Sequence, residues 1–198
     1  MTNLIEGIIQ QVTNNLNGRF INPDNSVKQL LEVVARAGDG NYLEIGVMHG
    51  GSLCAVALLK KALGHTGICI GVDPLDGYYI DVTGQTIDPK SGVPVERETV
   101  QDNIERFDLD NVALIPVRSQ LYTTNKRFTV TYIDGEHTQE AVYGDWERFK
   151  GNTTHFVSFH DYMNIKGVTR ACRQAELDPE WDLYLQKRYI FILQRLNT

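Results

Sequence analysis

The sequence predicts an α/β fold, a doubly wound and mostly parallel sheet with helices on both faces and an antiparallel pair of strands at the carboxyl end. Two observations support it: strand-like and helix-like periods alternate from residue 41 onward, and two strand-like runs close the chain around 186–188. With 198 residues and 42% hydrophobic content, the chain can bury one sizeable core, and it shows no internal repeat or linker. We therefore expect a single domain over residues 1–198.

Two amphipathic helices precede the sheet, within residues 1–38. Apolar residues recur at helical spacing from Leu4 to Val12 and again from Val27 to Ala35, on either side of the turn-like NPDNS. The core over 41–198 then opens with a βαβ unit. Its parts are a strand at 41–47, a helix at 52–64 and a strand at 66–73.

An irregular stretch at 75–94, which carries Tyr78 and Tyr79, interrupts this alternation as a loop insertion. A loop of this length is usually functional, so it either closes over a substrate or carries aromatic residues that only pack. The remaining predicted elements are a helix at 96–107, strands at 112–117 and 128–135, a helix at 139–149, a strand at 155–161, a helix at 167–177 and a hairpin at 181–196.

Composition disfavours several classes of partner. The net charge of −6 and the scattered Lys and Arg provide no basic surface for nucleic acid or an anionic membrane, so we expect a small soluble partner. No stretch approaches the ~20 apolar residues of a membrane span, and the amino terminus lacks the features of a signal peptide. Cys54, Cys69 and Cys172 lie in apolar stretches without metal or disulfide spacing, which favours reduced core cysteines in a cytoplasmic protein.

The segment YLEIGVMHGGS at 42–52 combines a carboxylate, Glu44, with a glycine-rich turn. Glycines at the end of a strand permit a tight turn and close approach of a ligand to backbone N–H groups at a helix amino terminus. The turn residues are Gly46, Gly50, Gly51 and Ser52. Glu44 needs a partner to offset its desolvation, and a carboxylate suits a cationic ligand better than a polyphosphate. The alternatives are a structural turn and a solvent-facing Glu44.

Asp73 ends the second predicted strand, where an acid can accept hydrogen bonds from both hydroxyls of a ribose. Together with the glycine-rich turn, it indicates a nucleoside site. The pattern ExGxxxGG differs from the GxGxxG of a dinucleotide site.

Asp134 and Asp161 each follow a predicted strand, in YIDGEH and FHDY. If these strands are neighbours, their ~4.8 Å spacing brings both carboxylates into one site. The repulsion between them must be relieved by a shared proton or a cation. A hard divalent ion such as Mg²⁺ meets this need.

His137 lies three residues after Asp134 and is a candidate general base, because an imidazole with a pKa near ~6.5 can accept a hydroxyl proton at neutral pH. The alternative is that His137 caps or packs the following helix. His160, which precedes Asp161, can serve instead as base or as metal ligand.

Four motifs, LEIGVMHGGS, GVDP, YIDGEH and HDY, resemble in this order the class I S-adenosylmethionine (SAM)-dependent methyltransferases, over about residues 41–162. The resemblance points to small-molecule O-methyltransferases, a branch that also resembles enzymes of macrolide and cephalosporin biosynthesis, and implies a Rossmann-like fold. It implies that Glu44 and the turn at 46–51 receive the methionine part of the cofactor. Asp73 would bind the ribose.

The resemblance also assigns the remaining cofactor contacts and the metal. It implies that Pro74 and Leu75 lie near the adenine, and that Ser119 and Gln120 contact its edge. Metal-dependent relatives of the catechol type use acids at the positions of Asp134 and Asp161, and a catalytic lysine at the position of His137. Where those relatives have Asp-Asn, this chain has Asp161-Tyr162, so the third ligand is open between His160 and Asn164.

The sequence therefore predicts a SAM-dependent methyltransferase that methylates a hydroxyl of a small molecule, such as a sugar or secondary metabolite, with help from a divalent metal. The alternatives are a nucleotide-cofactor oxidoreductase or hydroxylase-like enzyme on the same fold, and a nucleoside-binding module without catalysis. The leading helices either cover the site or pair two subunits into a homo-oligomer.

Overall fold

Seven strands form one sheet in the residues that the computed structural model describes, 1–76 and 87–196. Their order is β3-β2-β1-β4-β5-β7-β6, with β7 antiparallel to both β5 and β6 and every other pair parallel. The strands are β1 (Asn41–Ile45), β2 (Cys69–Val72), β3 (Val112–Ile115), β4 (Phe128–Ile133), β5 (Thr153–His160), β6 (Trp181–Lys187) and β7 (Ile190–Arg195). This confirms the predicted fold class.

Helices cover both faces of the sheet. They are α1 (Thr2–Asn15), α2 (Ser26–Ala37), α3 (Gly51–Ala62), α4 (Arg97–Arg106), α5 (Gln139–Phe149) and α6 (Lys166–Ala175). Because side chains alternate along a strand, Phe156 of β5 packs into the core under α1 to α4, while Val157 packs into the core under α5 and α6. The two helices predicted before the sheet, α1 and α2, thus lie on the same face of the sheet as α3 and α4.

The chain reverses its direction of travel across the sheet between β1 and β4. From β1 it proceeds outward through β2 and β3, and it then returns to lay β4 on the other side of β1. In register, Glu44 of β1 lies between Gly71 of β2 and Tyr132 of β4. Ligands of open α/β sheets bind at this switch point, beyond the carboxyl ends of the strands.

The predicted elements are present, and the differences lie at their ends. The first strand ends at Ile45 rather than at 47, because Gly46 adopts φ 86°, outside the extended region. The second strand begins at Cys69 rather than at 66. Between them, α3 begins at Gly51 and ends at Ala62, within two residues of the prediction.

Part of the predicted loop at 75–94, including Tyr78 and Tyr79, lies outside the described residues. Closure of this loop over a substrate therefore stays a prediction. Its described ends form two isolated bridges, from Asp76 to Glu96 and from Ile87 to Pro94. Within 1–76 and 87–196, no helix has the length and apolar character to cross a membrane.

Candidate active site

A cavity of about 450 Å³ opens at the carboxyl edge of the sheet. This volume is within the range of small-molecule sites. Its lining comes from the ends of β1, β2, β4 and β5, the segment after β3, helix α5 and the segment between α1 and α2. Most of the predicted site residues share this cavity; Glu44, Gly50, Leu75 and Asn164 do not line it.

The turn between β1 and α3 requires glycine where it borders the cavity. A Cβ at Gly46 would overlap with the backbone carbonyl of Asp134, so glycine lets the ends of β1 and β4 approach each other. Gly51, the first residue of α3, also lines the cavity. Gly50 adopts φ 83° and is the N-cap residue of α3. Its Cβ position faces Val100 of α4 at 3.1 Å, so Gly50 contributes to the turn on the side away from the cavity.

Glu44 lies beneath the cavity and is fully buried. Its carboxylate oxygens accept hydrogen bonds from the hydroxyls of Tyr42 at 2.6 Å and Ser52 at 2.7 Å. Burial raises the pKa of Glu44 to about 8, although both hydrogen bonds oppose the shift. Glu44 reaches the cavity only through Ser52, which lines it. Contact between Glu44 and the methionine part of a cofactor stays a prediction.

Asp73 lines the cavity at the end of β2 and holds the surrounding backbone. One carboxylate oxygen accepts hydrogen bonds from the N–H groups of Val47 at 2.7 Å and Met48 at 3.2 Å, and the other accepts from Leu75 at 2.9 Å. These bonds fix the end of β2 against the turn after β1. Pro74 lines the cavity beside Asp73, whereas Leu75 is buried away from it.

A 3₁₀ turn after β3, Ser119–Leu121, brings Ser119 and Gln120 to the same cavity. Beside them lies Asp145 of α5, which sequence reasoning missed. Burial raises the pKa of Asp145 to about 6, against an opposing interaction with the Ser119 hydroxyl. The available signal was its position in a helix among the apolar residues Val142 and Trp146, where a carboxylate is out of place.

Two carboxylates and two imidazoles meet where β4 and β5 end. Asp134 and Asp161 follow these neighbouring strands, as predicted, and the structure brings them together with both candidate histidines. Nε2 of His137 lies 3.7 Å from Oδ1 of Asp134 and 3.4 Å from Oδ2 of Asp161. Nδ1 of His160 lies 3.3 Å and 3.4 Å from the same two oxygens. Asp134, His137 and Asp161 each offer a donor atom within 4.8 Å of the other two.

His160 is almost fully buried, and within the described part of the chain its Nδ1 makes no hydrogen bond of acceptable geometry despite the short distances to both carboxylates. Its Nε2 faces the Ser26 hydroxyl at 3.3 Å. Burial lowers the pKa of His160, but Asp134 and Asp161 more than offset this and raise it to about 10. The two carboxylates therefore favour a positive charge at or beside Nδ1, the ring nitrogen that faces both of them.

His137 is the more exposed of the two histidines, with 41% of its side chain accessible, and it lines the cavity. Thr138, not His137, caps α5, because its hydroxyl accepts a hydrogen bond from the N–H of Ala141 at 3.2 Å. Asn164 does not line the cavity but donates a hydrogen bond to Asp161 at 3.0 Å, so it orients that carboxylate. Asp161 itself adopts φ 57°, which directs the chain away from β5.

The segment between α1 and α2 covers one side of the cavity through Arg19, Phe20 and Ile21. The Phe20 ring occupies the position that a Cβ on Gly51 would take. The sequence analysis expected the leading helices either to cover the site or to pair two subunits, but it named no residue of this segment, because neither periodicity nor a motif marks it.

Known proteins resemble this chain at two levels. A family model described as a methyltransferase domain matches residues 43–162. An uncharacterized protein, R132, of Acanthamoeba polyphaga mimivirus is 27% identical over 160 residues, which span 78% of this chain and 66% of the viral protein, just under two thirds of its length.

Solved structures of O-methyltransferases share the fold. NovP matches with a TM-score of 0.67 and 19% identity, over 98% of this chain and 79% of NovP. An O-methyltransferase from Bacillus cereus in complex with SAH (S-adenosylhomocysteine) gives 0.63 and 17%, over 98% and 91%. TomG from Streptomyces achromogenes, in complex with SAM, gives 0.62 and 11%, over 98% and 90%. At such identities the likeness establishes the fold alone.

The family match spans more than half of the chain and includes the glycine-rich turn, Asp73 and the cluster at the ends of β4 and β5. The strand order and the cavity at the switch point agree with it. The chain belongs to the methyltransferase-domain family, with the Rossmann-like fold of the class I SAM-dependent O-methyltransferases.

Proposed function

We propose that this protein transfers a methyl group from SAM to a hydroxyl of a small molecule, with a divalent metal bound by Asp134, Asp161 and His160. The observation that carries the proposal is the buried Nδ1 of His160, which has no hydrogen-bond partner among the described residues and lies 3.3 Å and 3.4 Å from two carboxylate oxygens. A cation between these three atoms relieves the carboxylate repulsion and gives Nδ1 a partner.

The donor set favours a transition metal over Mg²⁺. Imidazole nitrogen suits ions such as Mn²⁺, Fe²⁺ or Zn²⁺, whereas Mg²⁺ prefers an all-oxygen environment. The Ser26 hydroxyl facing Nε2 of His160 supports this role, because metal-bound histidines usually have a hydrogen-bond partner at the second ring nitrogen. When bound, the ion would lower the pKa of the substrate hydroxyl and orient its oxygen.

His137 is proposed as the general base. It faces the cavity beside Asp134 and Asp161, and these carboxylates stabilise the imidazolium that forms when His137 accepts the hydroxyl proton. Methyl transfer is an in-line displacement at a carbon that the sulfonium already activates. The chain therefore mainly has to align the two reactants and exclude water.

The acceptor is proposed to be small because the cavity also has to hold the cofactor. Its wall carries several carboxylates, which disfavour a nucleic acid or an anionic membrane surface as partner. The three cysteines are free and buried, which supports a cytoplasmic location. A homo-oligomer through α1 and α2 stays a prediction.

Formation of SAH from SAM, measured against a panel of hydroxylated sugars and aromatic compounds with Mn²⁺ or Mg²⁺, tests this function. We expect Mn²⁺ to support turnover and a chelator to abolish turnover. His137→Gln should lower kcat by about 10²- to 10⁴-fold and leave SAH affinity unchanged, since the base acts on the acceptor. Wild-type protein that binds SAH but forms no product with any acceptor would favour the non-catalytic binding module. Turnover that survives both Asp134→Asn and chelation would exclude the metal.

A further inference from the structure

The residues that line the cavity follow one another across the sheet in the order of the strands that they end, β3, β2, β1 and β4. Ser119 follows β3, Asp73 follows β2, and Asp134 follows β4 beside the histidines. A cofactor whose nucleoside lies over β3 and β2, and whose methyl group reaches Asp134, has its amino-acid end over the turn between β1 and α3. The side chains around that turn therefore decide which amino-acid end is accepted.

Arg19 is fixed to this turn by contacts on both sides. Its backbone N–H donates to Nδ1 of His49 at 3.2 Å, and the next residue, Phe20, packs on Gly51. Arg19 is among the residues that line the cavity, and Nη2 of its guanidinium lies 3.3 Å from Oδ1 of Asp88. Nε is buried and has no hydrogen-bond partner among residues 1–76 and 87–196, so the guanidinium has a donor that these contacts leave unused.

The charges on the cavity wall explain why a cation is needed there. The acidic lining residues are Asp73, Asp134, Glu136, Asp145 and Asp161. They attract a sulfonium and an ammonium group but repel a carboxylate. The described lining includes two arginines, Arg118 before the Ser119 segment and Arg19 at the opposite end. Of these two arginines in the described lining, Arg19 is the one placed to offset that repulsion at the turn.

We infer that Arg19 binds the carboxylate of the amino-acid end of the cofactor and makes the site selective for cofactors that carry this group. This inference rests on the proposed use of SAM. The planar guanidinium presents donors that match a carboxylate, which a lysine at this position would not reproduce.

Calorimetric titration with two probes tests the inference. One probe is SAH, and the other is its decarboxylated form, S-adenosyl-3-thiopropylamine, which differs only in the missing carboxylate. We expect Arg19→Met to weaken SAH binding roughly 10- to 100-fold, because a charged hydrogen bond is lost. Binding of the decarboxylated probe should stay within about twofold of wild type.

Two variants control for indirect effects. Asp88→Asn removes the ion-pair partner of Arg19 and should preserve the preference for SAH. Arg118→Met removes a cation from the other end of the cavity and should change the affinities of both probes by the same factor. If Arg19→Met weakens both probes equally, or if Asp88→Asn reproduces its loss of SAH affinity, the inference is overturned. Wild-type protein that binds neither probe would overturn the proposed function, and this inference with it.

Discussion

Two carboxyl groups on adjacent strands show how local partners set the charge of this site. Glu44 of β1 is fully buried with two hydroxyl donors, and burial raises its pKa to about 8. Burial also raises the pKa of Asp134 after β4, but His160 and His137 more than offset this and hold it below its usual range. Asp134 is therefore ionised at neutral pH, whereas Glu44 needs a nearby cation to ionise.

Substitution of Glu44 by Gln should remove a pH dependence of stability. The pKa of Glu44 in the folded protein, about 8, exceeds the ordinary value of 4.5, so the folded state binds an extra proton between these pH values. Its stabilising contribution is full below about pH 4.5 and is lost as pH rises through about 8. Between these two pH values, we expect the free energy of unfolding of the wild type to fall by roughly a few kcal/mol relative to that of Glu44→Gln. Urea unfolding across the range measures it, and parallel curves would refute it.

The turn between β1 and α3 is the element on which the site depends. Gly46 ends β1, donates its N–H to Val72 of β2 at 2.9 Å and lets the Asp134 backbone approach, while the N–H of Asp134 bonds to Ile45 at 2.8 Å. Three strand ends are therefore fixed together at one glycine. This arrangement positions Asp134 at the edge of the cavity.

Alanine at Gly46 should destabilise the protein far more than alanine at Gly64. Both glycines have positive φ, 86° and 69°, but the Cβ position of Gly64 faces open space, whereas that of Gly46 overlaps with the Asp134 backbone. We expect Gly64→Ala to cost about 1 kcal/mol for its conformation alone. Gly46→Ala should cost more than about 4 kcal/mol. Urea unfolding of both variants measures this, and equal losses would show that Gly46 serves only its own turn.

Helices and strands could be predicted, because their apolar patterns are local. The residues at which they end could not. Apolar periodicity identified α1, α2 and the strands, because most of their apolar residues belong to the three hydrophobic clusters, whereas β6 is largely exposed. The end of β1 depends on how closely β4 approaches Gly46, which no local pattern encodes. The interpretation of His137 as a helix cap did not anticipate Thr138, one residue later, whose hydroxyl forms that cap.

At the scale of the molecule, the cavity combines parts that the sequence marks and parts that it does not. Strand-end residues such as Asp73 and Asp161 could be predicted, because the carboxyl ends of parallel strands meet at one edge. Arg19 and Asp145 come from a helix connection and a helix face, so they reach the cavity only through tertiary packing. The lining residues that reach the cavity through tertiary packing were accordingly harder to predict than those at the strand ends.

The cofactor and the metal should stabilise the protein separately, because their contacts lie on different strands. SAH at a hundredfold excess over its Kd should add about 2.7 kcal/mol, or roughly 5 to 10 °C in Tm for a chain of this size. His160→Gln should lose the increment that Mn²⁺ gives to the chelator-treated protein and keep the SAH increment, since His160 is the last residue of β5, which β4 separates from the β1–β3 half. His155→Gln, on the exposed part of β5, should keep both. Thermal unfolding of the three proteins decides: a Mn²⁺ increment that survives in His160→Gln removes this histidine from the metal site.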